Sequence, residues 1–450
     1  MTHNPRYAAF TTLLRIEKER SYADILIDRE LREGRLAGPD RGLYTELVYG
    51  TLRRRGTLDH IIATFSTTPP SRLERSVILL LRLGLYQLFY LDRVPVSAAV
   101  NETVNLAKQA APRGAGFINA VLRAAERGRE KITYPDPGEH PAEYLALRHS
   151  HPRWIVTDWI GQLGFDEAEE LASLMSTPPS MTIRTNRVKS SPDDLRQRLA
   201  IEGVSTIPCR HSPDGLVITS AISLGSLPSF REGLFVVQDE ASQLAALLLT
   251  PEGGDTILDL CAAPGGKATY LAAMAGPGGR VIACDRSPRK LEQVKEAASR
   301  LGIATITTIP MDATKPLQEL LPTPFDRILV DAPCSGLGVI HRNPEGKWWK
   351  EPTDPARLAV TQLNILANAA RCLKPGGVLV YSTCSTSLEE NEGVVENFLN
   401  DHPDFVIEPV SVALPILADM ESGSGFFRSW PHRHAMDGFF AARMRKRERN

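Results

Sequence analysis

Two cysteines sit in short polar turns, Cys334 in Asp331-Ala332-Pro333-Cys334-Ser335-Gly336 and Cys384 in Tyr381-Ser382-Thr383-Cys384-Ser385. Each turn follows an apolar run, DRILV or GGVLV, and ligands of an open parallel sheet gather at the carboxyl ends of its strands. A thiol placed there is a nucleophile once ionised. Its unperturbed pKa of about 8.5 leaves only a few per cent as thiolate at neutral pH, so local activation is expected. Metal ligation would need further His or Cys at short spacing; none is present, and no metal is expected. Cys209, Cys261, Cys284 and Cys372 read instead as small buried hydrophobes.

The stretch Cys261-Ala262-Ala263-Pro264-Gly265-Gly266-Lys267 joins the run DTILDL to a helical segment. A Gly-rich turn between strand and helix lets a ligand approach the backbone N–H groups at the helix N-terminus. The dinucleotide fingerprint G-x-G-x-x-G is absent, and a Walker A loop would need Gly at 261 and Ser or Thr at 268, where Cys261 and Ala268 stand. Phosphate binding is therefore disfavoured. The next strand, RVIACD, ends in Asp285, placed to accept from both hydroxyls of a ribose. The third is followed by Asp312, placed to accept from an adenine amino group. A Gly loop with one acid after strand two and another after strand three describes a nucleoside cofactor without a pyrophosphate. S-adenosylmethionine fits best.

A methyl donor, a thiol and a carboxylate together suit one reaction, methylation of cytosine at carbon 5. That carbon is a weak nucleophile. A thiolate adding at carbon 6 makes the ring enamine-like, so that carbon 5 takes the methyl group; the carbon-5 proton then leaves and the thiol is released. Asp331 is suited to accept from the cytosine amino group.

The elements that must position these groups fall into three regions. Residues 1–135 read as an all-helical domain, with apolar positions at i, i+3 and i+4 in ERSVILLLRLGLYQLFYL and VSAAVNETVNLAKQAA, and Ser97 as a candidate N-cap. The Pro-rich stretch TYPDPGEHPAE reads as a linker, and residues 144–235 as a small α+β module. From 236 to 450, β-rich runs alternate with helical segments, which predicts βαβ units and a mainly parallel sheet. A length of 450 residues suits such a multidomain chain.

Net charge is −1, yet residues 1–150 carry 22 Lys and Arg against 17 Asp and Glu, a surplus of five cations compatible with a polyanion grip. Hydrophobic residues at 42% and charged ones at 23% exclude wholesale disorder. The most apolar stretch, 77–91, is too short to span a membrane and contains Arg82, and MTHNPRYAAF lacks a secretory pattern. Six scattered cysteines suit a reducing cytoplasm.

These motifs resemble those of the Sun-type (RsmB-type) bacterial 16S ribosomal RNA cytosine-C5 methyltransferases, over nearly the whole chain. LDLCAAPGGKAT is similar to the family's cofactor loop, DAPCSGLGVIHRNPEGKW to its fourth motif and VYSTCSTSLEENE to its sixth. FVVQDEASQLAALLL precedes the loop as in the family, WPHRHAMDGFFAARMRK resembles its closing strands, and LVYGTLRRRGTLDHIIA with FINAVLR resembles a NusB-type RNA-binding domain. The resemblance implies a Rossmann-like class I methyltransferase domain behind a NusB-like domain and an RNA-binding middle extension. It makes Cys261 to Lys267, Asp285, Asp312 and Asp331 the S-adenosylmethionine contacts, with Asp331 also catalytic. Cys384 becomes the nucleophile, and Cys334 the group that assists release by removing the carbon-5 proton. DNA cytosine methyltransferases use a Pro-Cys thiol as nucleophile, which would favour Cys334; the S-T-C-S motif tips the choice to Cys384. Ala268 stands where relatives often have Thr. The implied substrate is 16S RNA or a small-subunit precursor, with nucleotide 967 the expected target and a monomer the expected state.

Secondary candidates remain open. His341, Arg342, Lys347, Trp348 and Trp349 form either an RNA-contacting loop or a packed Trp pair with solvated charges. Arg53-Arg54-Arg55 reads as RNA-facing or simply solvated, and Asn186 and Arg187 as part of the RNA-binding extension. The rival functions are a non-catalytic RNA-binding or antitermination factor, a DNA cytosine methyltransferase, and a methyltransferase acting on another RNA.

Overall fold

The most apolar run of the chain folds as helix Arg75–Tyr90, in which every residue from Val77 to Leu88 is buried. It packs against helices Pro5–Glu19, Pro39–Arg53, Arg55–Phe65, Val96–Ala110 and Ala115–Arg127. The shared core includes Leu13, Leu47, Ile62, Leu80, Leu83, Val100 and Leu122. Arg82 does not contradict this burial. Its guanidinium donates to both oxygens of Asp59, at 2.7 and 2.8 Å, and to Glu17 at 2.7 Å, so the buried cation is paired. Gly50 is required by close approach: a Cβ there would stand 2.0 Å from the Tyr86 ring. Ser97 is not a cap. Pro95 holds the extended N-cap geometry, helix Val96–Ala110 starts one residue later, and no side chain caps it.

The computed structural model describes residues 4–220, 224–318, 321 and 324–448. One compact unit comprises 1–179 together with 340–352, and a second comprises 180–339 and 353–450. The Pro-rich stretch at 133–141 therefore joins helices of one unit, and Pro141 opens helix Pro141–His149 at its first turn. The division falls inside the 144–235 segment: helices Arg153–Leu163 and Phe165–Leu174 lie in the first unit, the strands that follow in the second. No helix among the described residues is long and apolar enough to cross a membrane.

The second unit holds two sheets. Strands β1 (Met181–Thr185), β2 (Thr206–Pro208), β3 (Gly215–Ile218) and β4 (Phe235–Val237) pair antiparallel in the order β2-β3-β1-β4. The larger sheet contains β5 (Thr256–Leu260), β6 (Arg280–Asp285), β7 (Ile306–Pro310), β8 (Phe325–Asp331), β9 (Leu373–Thr383), β10 (Phe405–Ile407), β11 (Phe427–Ser429) and β12 (Phe439–Lys446). Its order is β10-β12-β9-β8-β5-β6-β7, with β11 also on β12. Strands β5 to β9 run parallel, and β12 is antiparallel to β9. Alternation along each strand feeds two cores. Leu258, Ile282, Ile328 and Leu379 face the helix Asp354–Cys372, while Ile257, Val281, Leu329 and Val380 share the opposite core with Leu244, Leu271 and Val294. The strand order reverses between β5 and β8, which places a ligand crevice at their carboxyl ends.

Candidate active site

The loop after β5 turns on two left-handed residues, Cys261 at φ 63° and Gly265 at φ 104°. A Cβ at Gly265 would sit 3.1 Å from the Val294 backbone, so conformation and space both demand glycine. Helix Gly266–Ala275 begins immediately afterwards. Along the same sheet edge, Asp285 ends β6 and Asp312 follows β7. Asp285 Oδ1 accepts from the Ser287 backbone N–H at 2.8 Å, leaving Oδ2 for a ligand. Asp312 accepts from the Thr314 hydroxyl at 2.7 Å and its N–H at 3.0 Å, which lowers its pKa and keeps it ionised. Adjacent strands thus present the Gly turn and two acids in the order a nucleoside cofactor requires. The donor set fits.

Asp331 ends β8, directly opposite Ser382 on β9. Its oxygens accept from Lys267 Nζ at 2.7 Å and Ser382 Oγ at 2.9 Å, which fixes the carboxylate while leaving it partly exposed. Cys334 and Cys384 lie beyond these strand ends with their sulfur atoms 3.3 Å apart. The Cys384 contact and then burial push the Cys334 thiol well up from its ordinary pKa. Both cysteines remain half-buried. The other four thiols are all raised by burial, Cys284 to about 12 and Cys372 to about 11; those two are buried core cysteines, whereas Cys209 and Cys261 are half-buried, short of the full burial expected of them.

Behind the pair lies a polar network that the sequence did not single out. Glu390 is fully buried. Its Oε1 accepts from the Ser335 N–H at 2.7 Å and Gln362 Nε2 at 3.1 Å; its Oε2 accepts from the hydroxyls of Ser385, at 2.5 Å, and Ser335. One carboxylate therefore ties the residue after Cys334 to the residue after Cys384. Gln362 also donates to Pro333 O at 3.0 Å, Asn391 donates to Ser385 O at 2.9 Å, and the Tyr381 hydroxyl donates to Glu390 O at 2.6 Å. The available signal was the acid-rich ENE that closes VYSTCSTSLEENE. Asp259, one residue inside the end of β5, is fully buried with neither oxygen hydrogen-bonded among the described residues. Burial first, and the Asp331 charge second, raise its pKa well above the ordinary carboxylate value.

Family models match this architecture piece by piece: NusB family over 3–127, a ferredoxin-like domain of the RsmF/B-like methyltransferases over 151–225, and 16S rRNA methyltransferase RsmB/F over 246–445. A curated relative from Bacillus subtilis, "Probable ribosomal RNA small subunit methyltransferase B", is 39% identical over 98% of both chains. The chain belongs to the RsmB/F methyltransferase family. A second such relative, from Synechocystis, bears the same name at 38% identity over 98% of this chain and 99% of its own. The crystal structure of PH0851 has a TM-score of 0.82 at 27% identity, over 98% of this chain and 99% of that one. The NusB-type helical domain, ferredoxin-like middle module and Rossmann-like methyltransferase domain follow from these matches and the sheets above.

The RsmB/F framework changes the weight of the secondary candidates. Asn186 is buried, and its amide donates to Gly233 O at 2.9 Å and Leu301 O at 2.8 Å, so it fastens the middle sheet to the methyltransferase fold. Arg187 is half-exposed but paired with Asp214 at 3.2 Å. The neighbouring Arg184, not foreseen, is buried and donates to Gly266 O at 2.6 Å and Thr269 Oγ1 at 3.1 Å, buttressing the first turn of helix Gly266–Ala275. Lys347 is fully buried in the helical unit, donating to Arg53 O at 3.3 Å and His151 Nδ1 at 3.4 Å. Its Nζ is not available to phosphate. Trp349 packs on the helical core and edge-on to Tyr22, and Trp348 lies under Arg55. The packed-Trp alternative therefore holds for this pair, while Lys347 is buried where a solvated charge was the alternative expected. His341 is buried in the same segment and Arg342 is half-buried.

Replacing Asp285 with Ala should weaken S-adenosylmethionine binding by about 1.5–3 kcal/mol, through loss of charge-assisted hydrogen bonds to ribose. Titration calorimetry giving the wild-type affinity would remove Asp285 from the cofactor site.

Proposed function

We propose that this enzyme methylates carbon 5 of a cytosine in 16S ribosomal RNA, with nucleotide 967 the expected target, through a covalent Cys384–cytosine adduct. The observation that carries this reading is the 3.3 Å pair of thiols at adjacent strand ends, beside a carboxylate fixed by Lys267 and Ser382. The relatives' names, which specify the small-subunit ribosomal RNA, support the substrate class. Residues 261–267, Asp285, Asp312 and Asp331 would hold S-adenosylmethionine, which supplies an electrophilic methyl group when bound.

The residues then divide the work. Cys384 Sγ adds to carbon 6, forming a C–S bond and moving the ring's double-bond electrons to carbon 5, which takes the methyl group. Asp331 accepts from the exocyclic amino group and favours a proton on the ring. Cys334, as the thiolate, takes the carbon-5 proton and becomes the thiol; the released electron pair restores the ring double bond and expels Cys384 as thiolate. As the acceptor Cys334 must first be a thiolate, and the 3.3 Å separation of the two sulfur atoms is what supports its place beside the attacking thiol. The cytoplasm, where ribosomal RNA is made, is the proposed location, and a monomer the proposed state.

The test is transfer of labelled methyl groups to a small-subunit RNA fragment and to DNA of the same sequence, followed by nucleoside analysis. Label should appear in 5-methylcytidine from RNA only. Label in another nucleoside, or equal transfer to DNA, would overturn the proposal.

A further inference from the structure

We infer that the helical unit grips single-stranded RNA in a groove lined by Phe89, Tyr90, Arg129, Tyr134 and Arg148, with Arg54 at its edge. This inference rests on the RNA-methyltransferase reading and names the surface that would hold the substrate. The groove encloses 340 Å³, and no carboxylate lines it. Three guanidiniums lie over aromatic faces here: Arg54 is 5.1 Å from the Tyr90 centroid, Arg129 is 4.6 Å from Phe89, and Arg148 is 5.3 Å from Tyr134. A ring face attracts a cation without neutralising it.

The contrast with other arginines of this unit is informative. Arg82 is satisfied by Asp59 and Glu17, and Arg15 by Glu19. Among the described residues, Arg54, Arg129 and Arg148 have no ion pair. Arg129 donates one hydrogen bond, to Leu88 O at 2.7 Å, and the guanidiniums of Arg54 and Arg148 donate none. Three positive groups are therefore held in place by rings with most of their N–H donors unspent. That is the donor set for phosphate oxygens. Tyr134, the half-buried ring that carries Arg148, is itself fixed by His60 at 5.2 Å and Tyr144 at 6.4 Å. A guanidinium backed by a ring can stack an unpaired base on its outer side as well as donate to phosphate, which suits an unpaired strand better than a duplex, whose bases are already stacked.

The arginine run 53–55 separates accordingly. Arg53 is buried beside Tyr49 and Arg55 lies over Trp348, so of the three only Arg54 belongs to the groove.

Fluorescence anisotropy with a single-stranded small-subunit RNA fragment, at several salt concentrations, tests the assignment on the full-length enzyme. The double variant Arg129→Ala/Arg148→Ala should raise Kd at least tenfold and flatten the salt dependence by about 1.5 in slope, since roughly 0.7–0.9 counterion is released per phosphate contact. Tyr134→Leu, which removes the ring beneath Arg148, should raise Kd several-fold and lower the slope by less than the double variant does. Thermal melting and cofactor affinity should stay at wild-type values, which separates lost RNA contact from lost folding. As a control, Arg93→Ala/Arg113→Ala, at exposed positions elsewhere on the same unit, should change Kd less than twofold. Wild-type binding with an unaltered groove variant, or an equal loss in the control pair, would overturn the groove assignment alone. A wild-type enzyme that bound no RNA would overturn the functional reading, and the groove with it.

Discussion

Cys384→Ala should abolish both methyl transfer and covalent attachment of RNA, whereas Cys334→Ala should accumulate a protein–RNA species that survives denaturing electrophoresis. The two sulfur atoms are 3.3 Å apart, so position alone does not distinguish them. Their duties do. Without Cys384 no bond to carbon 6 forms. Without Cys334 addition and methylation still proceed, but the carbon-5 proton is no longer removed and the thioether persists. The trapped species should be absent from the double variant. If Cys334 were the nucleophile the outcomes would exchange, with Cys384→Ala trapping RNA. pH supplies a second readout. Cys334 must lose its own proton before accepting another, and contact with Cys384 and burial raise its pKa. The fraction able to act as base therefore grows as pH rises, and the wild-type adduct should shorten in lifetime from pH 7 to 9. An adduct whose lifetime does not change with pH would remove Cys334 from the elimination step.

The sequence disclosed most about the site where a single strand and its following turn carry the chemistry. Asp285 and Asp331 end their strands, and Asp312 follows its own, because in a doubly wound sheet the position of an acid after a β-run also fixes its place on the ligand edge. Cys334 and Cys384 are 50 residues apart in sequence, yet β8 and β9 are parallel neighbours, so their turns converge. Side-chain bonds between distant loops left no such trace. Glu390 reads as one more solvated acid in SLEENE until the turn after Cys384 folds it inward against Ser335, 55 residues away. Arg184 reads as a surface cation on a strand, but it reaches Gly266 across 82 residues. Lys347 was legible only as a charge in a Trp-rich loop; its burial depends on the 340–352 segment belonging to the helical unit, which neither periodicity nor composition encodes. The fold came through at the level of elements, while Ser97 shows how a plausible cap loses to a proline with the required backbone angles two residues earlier.

Glu390→Ala should slow adduct formation at least a hundredfold, about 2.7 kcal/mol in barrier, while leaving S-adenosylmethionine affinity within twofold. The side chain touches neither cysteine; it acts through Ser335 and Ser385, the residues that follow them. Removing it orphans the buried Ser335 N–H, at a cost on the order of 1–3 kcal/mol, and leaves the two hydroxyls only each other, 3.0 Å apart, and Gln362 only Pro333 O, to donate to. The two turns would move apart to find new partners, and a displacement of about 1 Å is enough to cost a hundredfold in rate. Glu390→Gln separates positioning from general destabilisation. Its amide oxygen can still accept from the Ser335 N–H and Gln362, while its NH₂ donates to serine hydroxyls that rotate to accept. Adduct formation in this variant should therefore recover to within about tenfold of wild type, by the geometric sensitivity just given. The measurement is single-turnover trapping in a Cys334→Ala background, where addition is seen without elimination, alongside thermal melting of each variant. If Glu390→Ala melted lower but formed adduct at the wild-type rate, the network would be structural only. If Gln were as slow as Ala, the fourfold acceptor geometry would be irreplaceable, and the claim that spacing alone sets the rate would fail.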